Sequence, residues 1–214
     1  MVKILKIDPS SPNKELVEEI VAAILAGGLV VIPTDTLYGI AVNSLDERAI
    51  KRVYRIKKRD FAKPILLLIH DKEQLKGRVK TIPEAGERLI RIFWPGPLTL
   101  IFEAANNLPP SLLGNTSKIA FRQPKNPFLD LLLKETKVPL TGTSANISGQ
   151  PDLMSVKEIE TFLGDGIDLI VDGGVCGTDK ASSIVDVTTL PPTLIREGQL
   201  SRRALEVVLG EQLA

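Results

Sequence analysis

Residues 29–39 have the sequence LVVIPTDTLYG, in which an unbroken apolar run gives way at Pro33 to a polar cluster. The run is short and rich in β-branched residues, so it predicts a strand that is buried on both faces. Apolar residues at helical spacing from Leu16 to Ile24 predict a helix before this strand. Ser11-Pro12 supplies the expected N-cap and first-turn proline of that helix, and Gly27-Gly28 supplies its end. A helix followed by a buried strand is typical of α/β folds.

The remaining sequence continues this alternation without an internal repeat or a linker. Asp46 caps a predicted second helix, whose last turn is Lys57-Lys58-Arg59. Further helices are predicted at about 83–93, 128–135, 155–162 and 201–209, and further strands at about 65–69, 98–102, 119–122, 138–141, 167–171, 183–187 and 193–196. We therefore predict an α/β fold in one domain over residues 1–214, with a largely buried mixed sheet and helices on both faces.

The composition excludes several kinds of chemistry. The chain of 214 residues has one histidine, His70, and one cysteine, Cys176, so it cannot form an internal disulfide or a zinc site from these residue types alone. Any triad mechanism would depend on His70, to which the neighbouring sequence offers no partner. The chemistry must therefore rest on Lys, Arg, Ser, Thr, Asn and carboxylates.

The charge balance and hydropathy exclude other classes. Lys and Arg number 27 against 26 Asp and Glu, so a site for a polyanion must come from local clustering of basic residues. No apolar run approaches the ~20 residues that cross a bilayer, and the N-terminus shows no signal-peptide pattern. We expect a cytoplasmic protein.

Polar clusters follow several predicted strands, where sites in α/β folds usually lie. Pro33–Gly39 places two hydroxyls and a carboxylate at a strand end, which could hold a polar substrate. The structural alternative is a capped turn in which Thr34 and Asp35 satisfy local N–H groups. Both interpretations stay open from the sequence.

A basic cluster lies at Lys57–Pro64, between a predicted helix end and a predicted strand. Its four cations could grip a triphosphate, with Arg59 giving a bidentate geometry that lysine lacks. Alternatively, cations at a helix C-terminus interact favourably with the helix dipole and are only solvated charge. Lys63 fits that alternative less well, because it lies beyond the helix.

Three further clusters contain candidate ligand contacts. Thr141–Gly149 could turn backbone N–H groups toward an anion, with Ser144 and Asn146 adding hydrogen bonds, or could form a tight polar turn. Arg122 ends an apolar strand, so it pairs either with a structural carboxylate or with an anionic ligand. Ser182–Asp186 with Ile195–Gly198 is the last cluster, whose structural alternative is a strand pair with a surface ion pair.

Taken in order, these motifs closely resemble the YrdC family over about residues 10–205. The motifs are Pro33–Gly39, Lys57 and Arg59 followed by Lys63-Pro64, Pro95–Thr99, Arg122 and Pro124, Ser144 and Asn146, Ser183–Asp186, and Arg196–Gly198. The resemblance implies a twisted open sheet with a concave basic surface, in the short form without an additional C-terminal domain. It also implies L-threonylcarbamoyladenylate synthase activity, in which ATP, L-threonine and bicarbonate give threonylcarbamoyl-AMP and pyrophosphate. Proteins of tRNA modification would then place the threonylcarbamoyl group on the adenosine next to the anticodon.

The same resemblance implies roles for individual residues. The implied ATP contacts are Lys57, Arg59, Lys63, Lys118, Ser144, Asn146 and Arg196. The implied threonine contacts are Thr34, Arg122 and Gly142. Arg59, Lys63 and Ser144 are the implied catalytic residues, and Mg²⁺ is expected to accompany the triphosphate, with its protein ligands left undefined.

The chain departs from the family pattern at four positions. Asp60 stands where proline is common. Lys58 stands where many relatives have glycine, and Leu68 replaces a histidine that some members use near threonine. Asp152 stands where relatives often have serine near the phosphates, and an acidic residue there could help to bind a metal.

Two alternative functions remain open from the sequence. One is a carbamoyl-adenylating relative that uses carbamoyl phosphate, although such domains usually belong to longer chains with zinc-binding cysteines. The other is a module that binds double-stranded RNA on the basic concavity, with a strong dependence on salt. The synthase agrees best with the composition, because displacement at phosphorus needs positioning and charge neutralisation more than a catalytic histidine.

Overall fold

The computed structural model describes residues 2–174 and 180–214, so Cys176 lies outside the described residues. The strands are β1 (Lys3–Lys6), β2 (Val30–Ile32), β3 (Gly39–Ala41), β4 (Leu67–Leu68), β5 (Leu98–Glu103), β6 (Lys118–Arg122), β7 (Leu140–Thr141), β8 (Thr143–Ser144), β9 (Leu169–Asp172), β10 (Ser183–Asp186) and β11 (Thr193–Arg196). The helices are α1 (Lys14–Leu25), α2 (Glu47–Ile56), α3 (Glu84–Phe93), α4 (Pro110–Leu113), α5 (Pro127–Thr136), α6 (Val156–Leu163) and α7 (Arg202–Leu209).

The described strands form two mixed sheets. The first has the order β1-β9-β2-β3-β8, in which β9 lies parallel to β1 and β2. The second has the order β11-β10-β5-β6-β4-β7, in which β10 is parallel to β5 and antiparallel to β11. The chain passes from the second sheet to the first at Gly142, the single residue between β7 and β8. The predicted α/β class with mixed strand directions is confirmed.

The first sheet is covered on both faces. Val30 and Ile32 of β2 pack in one core cluster with α1 and α5, whereas Val31 packs in the other cluster with α2 and α6. Because successive side chains of a strand point to opposite faces, this division places helices on each side of the sheet. The all-apolar sequence of β2 predicted this arrangement correctly.

At β5 and β6, the second sheet is covered by core residues on only one face. Leu100 and Phe102 of β5 and Phe121 of β6 are buried beneath the helices. Their neighbours Thr99, Ile101 and Ala120 point the other way and line a cleft. The sequence prediction of one largely buried sheet did not anticipate this open face, which the period-2 alternation of polar and apolar residues marks.

Local differences from the predicted elements have physical causes. The N-cap of α1 is Asn13, whose side chain accepts from the N–H of Leu16 at 3.2 Å, so the predicted start at Ser11-Pro12 is wrong. The predicted strand 65–69 shortens to β4, because the N–H of Ile65 donates to the carbonyl of Leu112 beside α4. Within the described ranges, no helix combines the length and apolar character that crossing a bilayer requires.

Candidate functional site

A cleft of about 440 Å³ lies between the turn that joins β2 to β3 and the open face of the second sheet. Seven of the residues singled out from the sequence line it: Thr34, Arg59, Lys63, Arg122, Gly142, Ser144 and Arg196. Lys57, Lys118 and Asn146 lie outside its lining. The structure therefore brings together most of the polar clusters, which are far apart in sequence.

The turn between β2 and β3 is held by the hydroxyl of Thr34. Its Oγ1 donates to the carbonyl of Leu37 at 2.6 Å and accepts from the N–H groups of Thr36 and Leu37 at 3.0 and 3.1 Å. The capped-turn interpretation therefore holds for Thr34, which also lines the cleft. Its hydroxyl is therefore already occupied within the turn.

Arg122 is buried at the end of β6, where each nitrogen of its guanidinium has a protein partner. Its Nη2 donates to Asp35 Oδ2 at 2.6 Å, its Nη1 to Thr36 Oγ1 at 3.0 Å and its Nε to the carbonyl of Gly96 at 3.0 Å. Burial lowers the pKa of the guanidinium, and the Asp35 carboxylate opposes that shift. The sequence left two partners open for Arg122, a structural carboxylate or an anionic ligand, and the structure shows the carboxylate of Asp35. Arg122 also lines the cleft.

The loop after α2 carries two cations into the cleft on a rigid base. Tyr54 Oη lies 2.9 Å from the carbonyl of Lys63 and 3.0 Å from that of Ser111, and its ring stacks on Phe61 with centroids 4.5 Å apart. Arg59 lies across the loop, with Nη2 donating to the carbonyl of Pro64 at 2.8 Å. Burial lowers the pKa of Arg59. The exposed ammonium of Lys63 has no hydrogen-bond partner among the described residues, so it is available to an anion.

Ser144 lines the cleft at the end of β8, and Lys57 holds the loop that begins there from behind. Lys57 is 1% exposed and donates to the carbonyls of Ser144 and Asn146 at 2.5 and 2.8 Å and to Asn146 Oδ1 at 2.9 Å. Burial, with a smaller contribution from Arg59, lowers the pKa of Lys57 to about 8. The structure thus places Lys57 and Asn146 beneath the loop, away from the cleft surface.

Arg196 enters the cleft from the end of β11, where it is fixed by β10. Its Nε and Nη2 both donate to the carbonyl of Ser182, at 3.0 and 2.8 Å. The turn after it is closed by Ser183 Oγ, which accepts from the N–H of Gly198 at 2.9 Å. A Cβ on Gly198 would lie 2.2 Å from the carbonyl oxygen of Ala181, so only glycine allows this approach. The strand pair that the sequence offered as the structural alternative is present, and it directs Arg196, an ATP contact implied by the family resemblance, into the cleft.

Two other predicted residues have structural partners. Lys118 Nζ pairs with Asp186 Oδ2 at 2.8 Å on the same sheet face as Ala120 and Arg122, beyond the cleft lining. Burial raises the pKa of Asp186, but hydrogen bonds from Lys118 and Thr188 outweigh it and leave the pKa below its usual range. Lys118 is therefore placed to shape the end of the cleft rather than its centre.

The cleft is strongly cationic. Arg59, Lys63, Arg122 and Arg196 line it, and among its described lining residues Asp152 is the sole acid. Thr36 and Ser182 lie within clusters identified from the sequence, but their roles were not predicted. Thr36 orients Arg122 and Ser182 orients Arg196, and only the three-dimensional structure shows these partners. The described residues contain no group of three or more potential ligands placed to hold a metal ion.

Comparison with protein families gives a match over most of the chain. The family model named Sua5_yciO_yrdC, which is described as telomere recombination, matches residues 22–198. This range contains all the polar clusters that meet at the cleft.

Individual relatives agree with the family model. A Pyrococcus abyssi protein named threonylcarbamoyl-AMP synthase is 39% identical over 186 residues, which cover 86% of this chain and 54% of that protein. A Mycobacterium tuberculosis protein named putative threonylcarbamoyl-AMP synthase is 34% identical, over 97% of this chain and 94% of that protein. The crystal structure of P. abyssi Sua5 complexed with L-threonine matches with a TM-score of 0.93 and 34% identity, over 98% of this chain and 62% of that chain. The chain therefore spans about half the length of the first relative and nearly all of the second.

Proposed function

Because this chain belongs to the Sua5/YciO/YrdC family, we propose that it is an L-threonylcarbamoyladenylate synthase built as one domain over residues 1–214. The proposed reaction converts ATP, L-threonine and bicarbonate into threonylcarbamoyl-AMP and pyrophosphate. The observation that carries the proposal is the meeting of Arg59, Lys63 and Arg196 in one cleft with the buried Arg122. The relatives named threonylcarbamoyl-AMP synthase, and the Sua5 structure complexed with L-threonine, support the substrates.

The threonine end of the cleft is assigned to the region around Arg122. The guanidinium is held by Asp35, Thr36 and Gly96, so the direction of its remaining N–H groups is fixed before a ligand arrives. Such preorganised donors suit a carboxylate. Gly142 packs against Leu68 so closely that an added Cβ would lie 2.6 Å from Leu68 Cγ, and this narrow apolar wall suits the small side chain of threonine.

The nucleotide end is assigned to the remaining cations of the cleft. Arg59, Lys63 and Arg196 would neutralise phosphate oxygens, and Ser144 would add a directed hydrogen bond.

The proposed reaction has two steps. The threonine amine adds to bicarbonate with loss of water, giving a carbamate. A carbamate oxygen then attacks the α-phosphorus, and pyrophosphate leaves with the bonding electron pair. The residues catalyse this displacement by orienting the reactants and stabilising the charge on the phosphates.

The donor set fits a magnesium ion that arrives with the triphosphate. Mg²⁺ keeps several waters and needs few protein ligands beside the phosphates. Asp152 is the single carboxylate among the described residues that line the cleft, so it would hold the ion. When bound, Mg²⁺ would supply neutralisation of charge on the phosphate oxygens.

We propose that the product is passed on, in the cytoplasm, to the proteins that modify tRNA next to the anticodon. A mixed anhydride of a carbamate and a phosphate is reactive, so prompt transfer is chemically necessary. The cationic cleft is sized for the nucleotide and threonine, and this supports small substrates as its ligands.

The direct test is release of pyrophosphate from ATP in the presence of bicarbonate, with and without threonine. The proposal requires threonine-dependent release by the folded chain, and no release at saturating bicarbonate would overturn it. Turnover that instead requires carbamoyl phosphate would favour the carbamoyl-adenylating alternative.

A matched pair of lysine variants tests the residue assignment. Lys63→Ala should abolish turnover without changing the melting temperature, because its ammonium contacts no described residue. Lys51→Ala is the control, since Lys51 lies exposed on α2 and its one ion pair with a described residue is with Glu47, at 3.5 Å. Full activity of Lys63→Ala would remove Lys63 from the proposed phosphate site.

A further inference from the structure

Lys57 is a buried ammonium that no step of the proposed reaction uses. It lies one turn after Val53 on the apolar stripe of α2, so the helix directs it into the protein. There it is 1% exposed and donates to three oxygens of the segment Ser144–Asn146. A buried cation is tolerated only where such acceptors surround it.

These hydrogen bonds fix the orientation of the segment that carries Ser144. Lys57 can only donate, so Asn146 must turn Oδ1 toward it, and Asn146 Nδ2 then donates to the carbonyl of Gln150 at 2.7 Å. Ser144 Oγ lies 2.7 Å from the same Oδ1. The backbone adds a further link, because the N–H of Ser148 donates to the carbonyl of Lys57 at 2.7 Å. One ammonium thus sets the positions of Ser144 and Asn146 together.

We propose that Lys57 is a positioning residue, which acts on the nucleotide through Ser144 and Asn146 rather than by touching it. The inference rests on the proposed function for the identity of the nucleotide. It assigns Lys57 a different role from the direct ATP contact that the family resemblance implied.

A double-mutant cycle on ATP affinity distinguishes positioning from direct contact. Lys57→Met and Asn146→Ala should each weaken ATP binding about tenfold or more, since each breaks the same charged network. The double variant should bind ATP no more weakly than the more affected of the two single variants, because the two residues act as one unit. If the two losses of ATP affinity instead multiply in the double variant, positioning is overturned and direct contact is favoured. Lys51→Met, on the exposed face of α2, should bind ATP as the unaltered chain does.

The pH dependence of the unaltered chain provides a second test that does not require a folded variant. The charged groups that act on Lys57 are Arg59, which lowers its pKa, and Asp152, which raises it, with burial lowering the pKa most, to about 8. ATP affinity should therefore fall about tenfold between pH 7 and pH 9 as the ammonium is lost. An affinity that stays constant over this interval would overturn the inference.

The stability of the protein should change in the opposite direction. Because the folded-state pKa is about 8 and the ordinary value is 10.5, the unfolded chain binds more protons between these two pH values. The contribution of Lys57 to stability therefore rises as pH increases through this range. A fall in ATP affinity without a fall in stability would support positioning, whereas a parallel fall in both would indicate unfolding and overturn it.

Binding and turnover are measured separately, so the two proposals fail differently. If the losses of ATP affinity multiply while the unaltered chain still releases pyrophosphate in the presence of threonine, only the role of Lys57 is overturned. A chain that binds no ATP overturns the proposed function and this inference with it.

Discussion

The ion pair between Asp35 and Arg122 provides a quantitative test of the threonine site. The two side chains are 16% and 4% exposed and lie 2.6 Å apart, and Asp35 is the single carboxylate within 4.0 Å of Arg122 among the described residues. Asp35→Asn keeps the shape and one acceptor but leaves the buried guanidinium without a counter-charge. Loss of a charge-assisted hydrogen bond in such a setting costs about 2 kcal/mol. For a chain of 214 residues this corresponds to a fall of about 4–8 °C in melting temperature.

The informative measurement is thermal unfolding of Asp35→Asn with and without saturating threonine. If Arg122 binds the threonine carboxylate, the ligand replaces the missing negative charge, and the deficit in melting temperature should shrink. Glu18→Gln is the control, because its pair with Lys14 is exposed and should contribute less than about 0.5 kcal/mol. An unchanged melting temperature in Asp35→Asn would refute the energetic reasoning. A deficit that threonine does not reduce, in a protein that still binds threonine, would refute the role of Arg122.

Three further substitutions have definite expected outcomes. Lys58 is exposed and has φ +47°, a backbone conformation that favours glycine, so Lys58→Gly should raise the free energy of unfolding in urea by about 0.5–1 kcal/mol. As the control, Lys51→Gly inside α2 should lower the free energy of unfolding by about 1 kcal/mol. Gly142→Ala places a Cβ 2.6 Å from Leu68 Cγ and should cost about 1–3 kcal/mol, and this cost should be smaller in a chain that already carries Leu68→Ala. Asp152→Ser should strengthen calorimetric binding of metal-free ATP and reduce the gain from added Mg²⁺; unchanged binding in both conditions would contradict the assignment of Asp152.

Local signals in the sequence predicted much of the fold. Asp46 caps α2 as expected, accepting from the N–H groups of Arg48 and Ala49, and β11 has the predicted bounds. These features depend on neighbouring residues, whose chemistry is visible in the sequence. The short strand β3 was not predicted, because its residues Gly39–Ala41 follow directly on a polar turn; they pair with β2 across that turn and with the distant β8.

The site was only partly predictable, because the local sequence does not show contacts between residues that are far apart in the chain. The motifs identified which residues meet, but the roles within them depend on long-range partners. Asp35 and Arg122 are 87 positions apart, and nothing local indicates that they pair. Lys57 is different, because its place four residues after Val53 on the apolar stripe predicts burial. That signal separates Lys57 from Lys63, although both belong to one basic cluster.

The fate of labelled bicarbonate is the most direct test of the proposed synthase reaction. The chain should be incubated with ATP, threonine and ¹³C-bicarbonate, and the nucleotide products analysed by mass spectrometry. We expect a threonylcarbamoyl adenylate that carries the label and forms in proportion to the pyrophosphate released. ATP turnover that yields no labelled adenylate would contradict the proposed reaction.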